Sequence, residues 1–354
     1  TRHGKVLDLS SRAEIPDAEY EAMAPFLWGG RYPVAGREAR IVPVNARQVV
    51  VDPAFPLRLN TARYRDHWHT MTRTGLSPTL SQHRREPLLE VHPQDAARAG
   101  LTEGGLARVE TAAGAATFRV AISSGQRPGN ICVPMHWSDV MAGEGRANRL
   151  PLAETDPYSG QPGFKDTPAR ATPVRPEWRA FLATQAEPDV TGLVWWSRAR
   201  VPGGWLYELA GDAPPDPAVL LPEGDRSEAA DMARGMRRIA VRDAGGALVA
   251  ALYLTRSGEL PPRDWVAGQL GLRSASAPEL LAGRPAAALP DRGPIVCVCL
   301  GVGAIEIAAA ACSGAETVEA VGAATKAGTN CGSCRPAIAR LLAEARADLK
   351  EAAE

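Results

Sequence analysis

Two cysteine pairs, Cys297-x-Cys299 and Cys331-x-x-Cys334, constrain this 354-residue chain more than any other feature. Thiolates are soft ligands, and four that converge can hold a [2Fe–2S] cluster or a zinc ion. For the sulfurs to meet, the residues between the pairs must double back, so the end of the chain is expected to form a small unit of its own. Two disulfides are a third use of the same residues, but no secretory leader is visible to favour an oxidising compartment. Zinc sites usually place two to four residues between paired cysteines. The first pair here has one, and spacing therefore favours iron–sulfur over zinc. The stretch Arg335-Pro336-Ala337-Ile338-Ala339-Arg340-Leu341-Leu342 after the second pair is predicted to be helical. Its first turn would aim free backbone N–H groups at an anionic cluster.

The segment from Ile295 to about Ala345, with C-V-C-L-G-V-G at its start and A-G-T-N-C-G-S-C near its end, resembles the bacterioferritin-associated-ferredoxin-like (BFD-like) [2Fe–2S] domains. The resemblance implies a small all-α helix-turn-helix unit in which Cys297, Cys299, Cys331 and Cys334 all bind the cluster. The other two cysteines, Cys132 in an apolar strand and Cys312 in an alanine-rich helix, are expected to be packing residues.

Lys+Arg and Asp+Glu balance at 40 each, so no strongly basic face points to nucleic acid. No apolar run is long enough to cross a bilayer. The 30 prolines and 34 glycines favour turns and short strands over long bundles. Free-looking cysteines suggest a reducing compartment, the cytoplasm.

Four regions are expected. Residues 1–52 form a lead-in segment that begins at Thr1 rather than Met. It contains a turn-rich aromatic stretch at 26–33 and a short strand at 39–44. Residues 53–176 hold several short strands: 56–61, 86–92, a hairpin of 106–111 and 116–122, and 130–134. A proline-led, glycine-closed helix lies at 93–100. Many strands with one small helix suggest a β-barrel. Residues 177–290 are expected to be a small α+β module. Its strands lie near 192–196 and 205–209, a hairpin over 238–254 and a short helix over 264–270, with its tryptophans in the core. Residues 291–354 are the cysteine domain.

A second chemical stretch runs from Asn60 to Gly75, with three arginines, two histidines and four threonines following one strand. Arginine forks pair with phosphate, and hydroxyls and imidazoles complete the binding of a heterocycle. The alternatives are a solvated surface loop or a metal site at His67 and His69. The run L-N-T-A-R-Y-R-D-H-W-H-T-M-T-R-T-G resembles the signature loop of molybdopterin-dinucleotide-binding domains, especially those of assimilatory nitrate reductases. This chain has Thr61-Ala62-Arg63 where T-G-R is usual. Val133-Pro134-Met135-His136-Trp137, Ala147-Asn148-Arg149-Leu150 and the closing segment from Asp156 to Lys165 also fit that family.

The resemblance implies a double-psi β-barrel that binds Mo-bis(molybdopterin guanine dinucleotide). The implied contacts are Thr61, Arg63, His67, His69, Thr70, Thr72, Asn148 and Lys165, with Arg63 near phosphate and Asn148 on the pterin. It further implies the C-terminal part of a nitrate reductase that reduces nitrate to nitrite. Upstream catalytic domains or a subunit would complete the site, and a flavoprotein reductase or a ferredoxin would donate electrons through the [2Fe–2S] cluster. A stand-alone electron-transfer protein, and another molybdopterin oxidoreductase such as a formate dehydrogenase, remain alternatives. No general acid–base pair can be named from these residues.

Overall fold

The computed structural model describes residues 14–24, 52–156, 159–288 and 290–351. The chain divides into two units, Thr1–Val49 and Val50–Glu354. The described part of the first holds a short helix, α1 (Asp17–Glu21), set off by Pro16. The aromatic stretch at 26–33 and the strand expected at 39–44 lie outside the described residues.

The second unit begins with the expected barrel. Its elements are β1 (Leu57–Ala62), β2 (Leu88–Val91), α2 (Pro93–Ala99), β3 (Leu106–Glu110), β4 (Ala115–Ile122), β5 (Asn130–Pro134), β6 (Ala142–Gly143) and β7 (Thr167–Val174). Six strands close in the order β1-β5-β2-β4-β3-β7. The pairs β1–β5 and β2–β4 are parallel and the remaining contacts antiparallel. Side chains alternate along each strand, so Leu57, Leu59 and Thr61 of β1 turn inward. They meet a core that includes Leu89, Val91, Val109, Phe118, Ile131 and Val133. Helix α2 starts at Pro93, where a missing N–H costs nothing, and stops at Gly100 with φ 65°. Cys132 faces outward, half-buried between Asn60 and Glu90, and so is not a core residue. Its neighbours Ile131 and Val133 take the inward positions of β5.

The next elements are β8 (Trp178–Thr184), β9 (Trp195–Val201), β10 (Gly204–Gly211), α3 (Pro217–Leu220), β11 (Asp225–Asp231), β12 (Met236–Arg242), β13 (Leu248–Thr255), α4 (Arg263–Ala267) and α5 (Ala277–Ala282). They build a seven-stranded sheet, β11-β12-β13-β8-β10-β9-β6, which borrows β6 from the barrel segment. The β12–β13 hairpin turns at Asp243–Ala247 as its glycine pair foretold. Trp178, Trp195 and Trp205 are buried. Trp195 joins Leu106 and Ala210 in a small cluster between barrel and sheet. Its indole N–H donates to the Thr117 carbonyl of β4 at 3.1 Å.

The last elements are β14 (Ile295–Cys297), β15 (Val302–Gly303), α6 (Ala304–Cys312), α7 (Val318–Thr325) and α8 (Arg335–Glu351). Three helices enclose a small core with Ile307, Val321, Ile338 and Leu342. A short β-ribbon precedes them, in which Ile295 pairs with Gly303 and Cys297 with Val302. Cys312, expected to pack, is exposed at the last residue of α6. Among the described residues no helix is long and apolar enough to cross a membrane.

Candidate functional site

Strand direction decides which barrel loops can share a ligand. Parallel β1 and β5 end together, with Ala62 opposite Pro134. Antiparallel β7 starts where β1 ends, with Thr167 opposite Leu59. β2 is antiparallel to β5 and parallel to β4, so the start of β4 lies at that same end. The loop after β1, the loop after β5, the β3–β4 turn and the approach to β7 therefore open at one end of the barrel. Thr61 to Thr72, Asn148 and Lys165 all belong to that end. The short helical turn Ala147–Arg149 sits beside the β3–β4 turn, where Thr111 Oγ1 donates to the Leu150 carbonyl at 2.7 Å.

The loop after β1 is held from beneath by His136, which is fully buried. The Tyr64 amide donates to His136 Nε2 at 2.7 Å, and Nδ1 lies 2.7 Å from the His69 carbonyl. An amide can only donate, so Nε2 accepts, Nδ1 carries the hydrogen, and the ring is neutral. Burial pushes the His136 pKa down, and the positive charge of Arg63 adds to that. His67 is buried beside it, with ring centroids 5.7 Å apart, and burial lowers its pKa as well. Its Nδ1 lies 3.3 Å from Thr74 Oγ1. Asp66 pairs with His83 Nδ1 at 2.6 Å. Burial works to raise the Asp66 pKa, but the hydrogen bond and charge of His83, helped by Arg65, leave it below the ordinary value. The backbone at His69 and Met71 is left-handed, with φ 43° and 62°. Such conformations persist only where surrounding contacts enforce them, and they cluster at binding sites.

The implied contacts divide in two. Arg63, His69, Thr70, Thr72, Asn148 and Lys165 are exposed, free to meet a ligand laid over the barrel end. Thr61 and His67 are buried and already partnered: Thr61 Oγ1 donates to the Phe164 carbonyl at 3.1 Å. Lys165 Nζ donates back to the Thr61 carbonyl, which fixes an ammonium over the end of β1. In the closing segment, residues 157 and 158 lie outside the described residues. Asp156 Oδ1 there accepts from the Ser159 amide at 2.7 Å. His136 and Trp137 were legible as the motif V-P-M-H-W, but nothing in one sequence assigned His136 its role of pinning the loop.

Three of the four cysteine sulfurs meet, and Cys334 shares the core beside them. Cys297 ends β14, Cys299 sits in a single helical turn, Val298–Leu300, and Cys334 leads into α8. Cys297 and Cys299 Sγ are 3.8 Å apart, and Cys299 and Cys331 Sγ are also 3.8 Å apart. Tetrahedral ligation with metal–sulfur bonds of about 2.3 Å separates ligand sulfurs by about 3.8 Å. Cys334 lies in the same core cluster as Cys297 and Cys299. Cys299 thus lies at ligand spacing from both Cys297 and Cys331, a grouping of soft donors suited to a metal–sulfur group. The Ser333 hydroxyl, 3.3 Å from Cys331 Sγ, holds that thiol below its ordinary pKa, whereas burial pushes Cys299 up. The donor set fits a [2Fe–2S] group.

Comparison with known proteins identifies both domains. Residues 57–168 match the family described as molydopterin dinucleotide binding domain, and residues 295–344 match the BFD-like [2Fe-2S] binding domain. A nitrate reductase of Klebsiella oxytoca is 35% identical over 96% of this chain and 41% of its own length. The periplasmic nitrate reductase of Desulfovibrio desulfuricans is 37% identical over 34% of this chain and 15% of its own. The assimilatory nitrate reductase catalytic subunit of Bacillus subtilis is 32% identical over 37% of this chain and 18% of its own. The chain thus spans less than half the length of these curated relatives. It carries a molybdopterin dinucleotide-binding domain and a BFD-like [2Fe–2S] domain, the two cofactor types expected from its sequence.

Proposed function

We propose that this chain is the C-terminal region of an assimilatory nitrate reductase of the cytoplasm. It closes over one end of a Mo-bis(molybdopterin guanine dinucleotide) and delivers electrons to it. One observation carries the reading: both cofactor domains and the module between them align, over 96% of the chain, with a single nitrate reductase. The assimilatory assignment rests on the resemblance of the loop after β1 and on the C-terminal order of barrel, module and BFD-like domain.

The molybdenum group, when bound, supplies the two-electron chemistry that converts nitrate to nitrite. The chain's own part is binding and delivery. Arg63 and Lys165 offer charge to phosphate oxygens, and His69, Thr70, Thr72 and Asn148 offer hydrogen bonds to the pterin and guanine. His67 and Thr61 support that surface from below. Cys297, Cys299, Cys331 and Cys334 hold the cluster that accepts single electrons from a flavoprotein reductase or a ferredoxin. Upstream domains or a subunit supply the remainder of the active site, and neither nucleic acid nor a membrane is a partner.

The test is a complete enzyme that contains this chain. Nitrite formation from nitrate with a reduced dye, GMP released by acid, and a [2Fe–2S] EPR signal on reduction are expected together. Turnover of formate with none of nitrate would reassign the substrate. Full molybdenum without GMP would remove the barrel's role.

A further inference from the structure

One side chain crosses directly from the barrel to the first cysteine strand. Arg65, in the loop after β1, donates from Nη2 to the carbonyl of Val296 at 2.6 Å. Val296 directly precedes Cys297. That carbonyl is available for a structural reason. In the β14–β15 ribbon Ile295 lies opposite Gly303 and Cys297 opposite Val302, so Val296 is the extra residue of a bulge and has no ladder partner. Arg65 fills the vacancy from the other domain.

The guanidinium is itself held. Its Nε lies 3.5 Å from Asp66 Oδ2, and the same carboxylate oxygen receives His83 Nδ1 at 2.6 Å. Asp66 is nearly buried, and Arg65 is three-quarters covered. A second contact runs alongside: the helical turn Leu80–Gln82 packs against Val298–Leu300, the turn that carries Cys299. Thus the loop expected to face the pterin dinucleotide also grips the strand and turn that present the first two cluster sulfurs.

We propose that Arg65 is a positioning residue that seats the Cys297–Cys299 strand on the pterin-side loop and places a fixed positive charge one peptide from a cluster ligand. This rests on the reading of the four cysteines as a [2Fe–2S] site. Two consequences follow from the chemistry. The charge favours the reduced cluster, which carries one more negative charge, so it raises the midpoint potential. The hydrogen bond holds the bulge, so it slows local opening of the ribbon.

The full chain, reconstituted with iron and sulfide, allows a test that does not depend on turnover. Arg65→Met keeps the stem and removes both the charge and the fork. At a fixed poise its ratio of reduced to oxidised cluster is expected to fall about tenfold, equivalent to about 59 mV for a one-electron couple. The amides of Val296 to Gly303 should exchange several-fold faster. Arg65→Lys should recover most of the potential, because it keeps the charge. A merely structural arginine would change exchange alone and leave the potential in place. A fully loaded Arg65→Met with parental potential overturns the proposal, whatever its exchange rates. If the parent chain takes up no iron, the cysteine reading fails first and this inference falls with it.

Discussion

Arg263 forks Glu208, with Nε 2.8 Å from Oε1 and Nη2 2.9 Å from Oε2. This pair ties α4 to β10. The barrel enters the same network through Arg119 of β4, whose Nη2 lies 3.6 Å from Glu208 Oε2 and which also bonds Glu86. Arg119 stacks over Trp195 at 5.0 Å, and Arg263 over Phe181 at 4.8 Å. Two arginines and two glutamates thus meet across the joint between barrel and sheet. Removing one member of a buried set strands the rest. Glu208→Ala should cost about 3–5 kcal/mol. Glu86→Gln should cost much less, because burial already drives the Glu86 carboxyl toward its neutral form despite Arg119. Urea midpoints of the two variants provide the check, and equal losses would contradict this division.

The neutral histidines make the barrel end acid-sensitive. His67 and His136 both have pKa values below the ordinary 6.5, with burial as the leading cause. An unfolded chain therefore binds more protons than the folded one once pH drops below about 6.5, and stability falls with it. The contribution is complete above that value and is lost as pH descends through the folded values. Protonating His136 also strands the Tyr64 amide, since Nε2 then donates. The melting temperature should be level between pH 7 and 8 and fall toward pH 5.5. His136→Gln should be less stable at pH 7.5, with a shallower fall. Ring titration by NMR locates the protons, and a His136 that titrates above 6.5 would refute the assignment.

The cluster reading separates six cysteines into two classes. Serine at Cys297, Cys299, Cys331 or Cys334 should each remove most of the iron, labile sulfide and EPR signal. Serine at Cys312, exposed on α6, or at Cys132, on the outer face of β5, should leave all three in place. Bound iron that survives loss of Cys334 would break the four-ligand set.

Period and punctuation in the sequence announced the strongest elements. The Gly-Gly turn between Arg242 and Leu248 marked a hairpin, and Pro93 with Gly100 bracketed α2. β11 was silent: D-R-S-E-A-A-D has no apolar alternation, because it is an exposed edge strand paired with β12. β7 was hidden by Pro168 and Pro173, which ordinarily argue against a strand. β8 was unmarked because W-R-A-F-L-A-T is buried almost throughout and shows no alternation. At the site, the ligand-facing residues were legible by type, but the supporting bonds were not. His136 to Tyr64, and Arg65 to Val296, join positions 72 and 231 residues apart. One sequence carries no signal of such pairings.

Gly303 offers a sharp test of how the first cysteine pair is held. It faces Ile295 in the ribbon, and a β-carbon there would run into the Arg292 carbonyl oxygen. That oxygen cannot give way cheaply, since it accepts from the Ile305 amide at 3.1 Å. The residue after it on this side, Pro294, accepts from Ala304 at 2.9 Å, so the whole run from Arg292 to Cys297 is tied to the start of α6. Gly303→Ala must push this run outward and carry Cys297 with it. Gly301 is the control: its φ is 66°, but a β-carbon would meet nothing. Gly301→Ala should therefore cost about 1–2 kcal/mol of backbone strain and keep its iron. Gly303→Ala should lose both stability and a large share of the bound iron. Equal iron in the two purified variants would show that the ribbon does not set the position of Cys297.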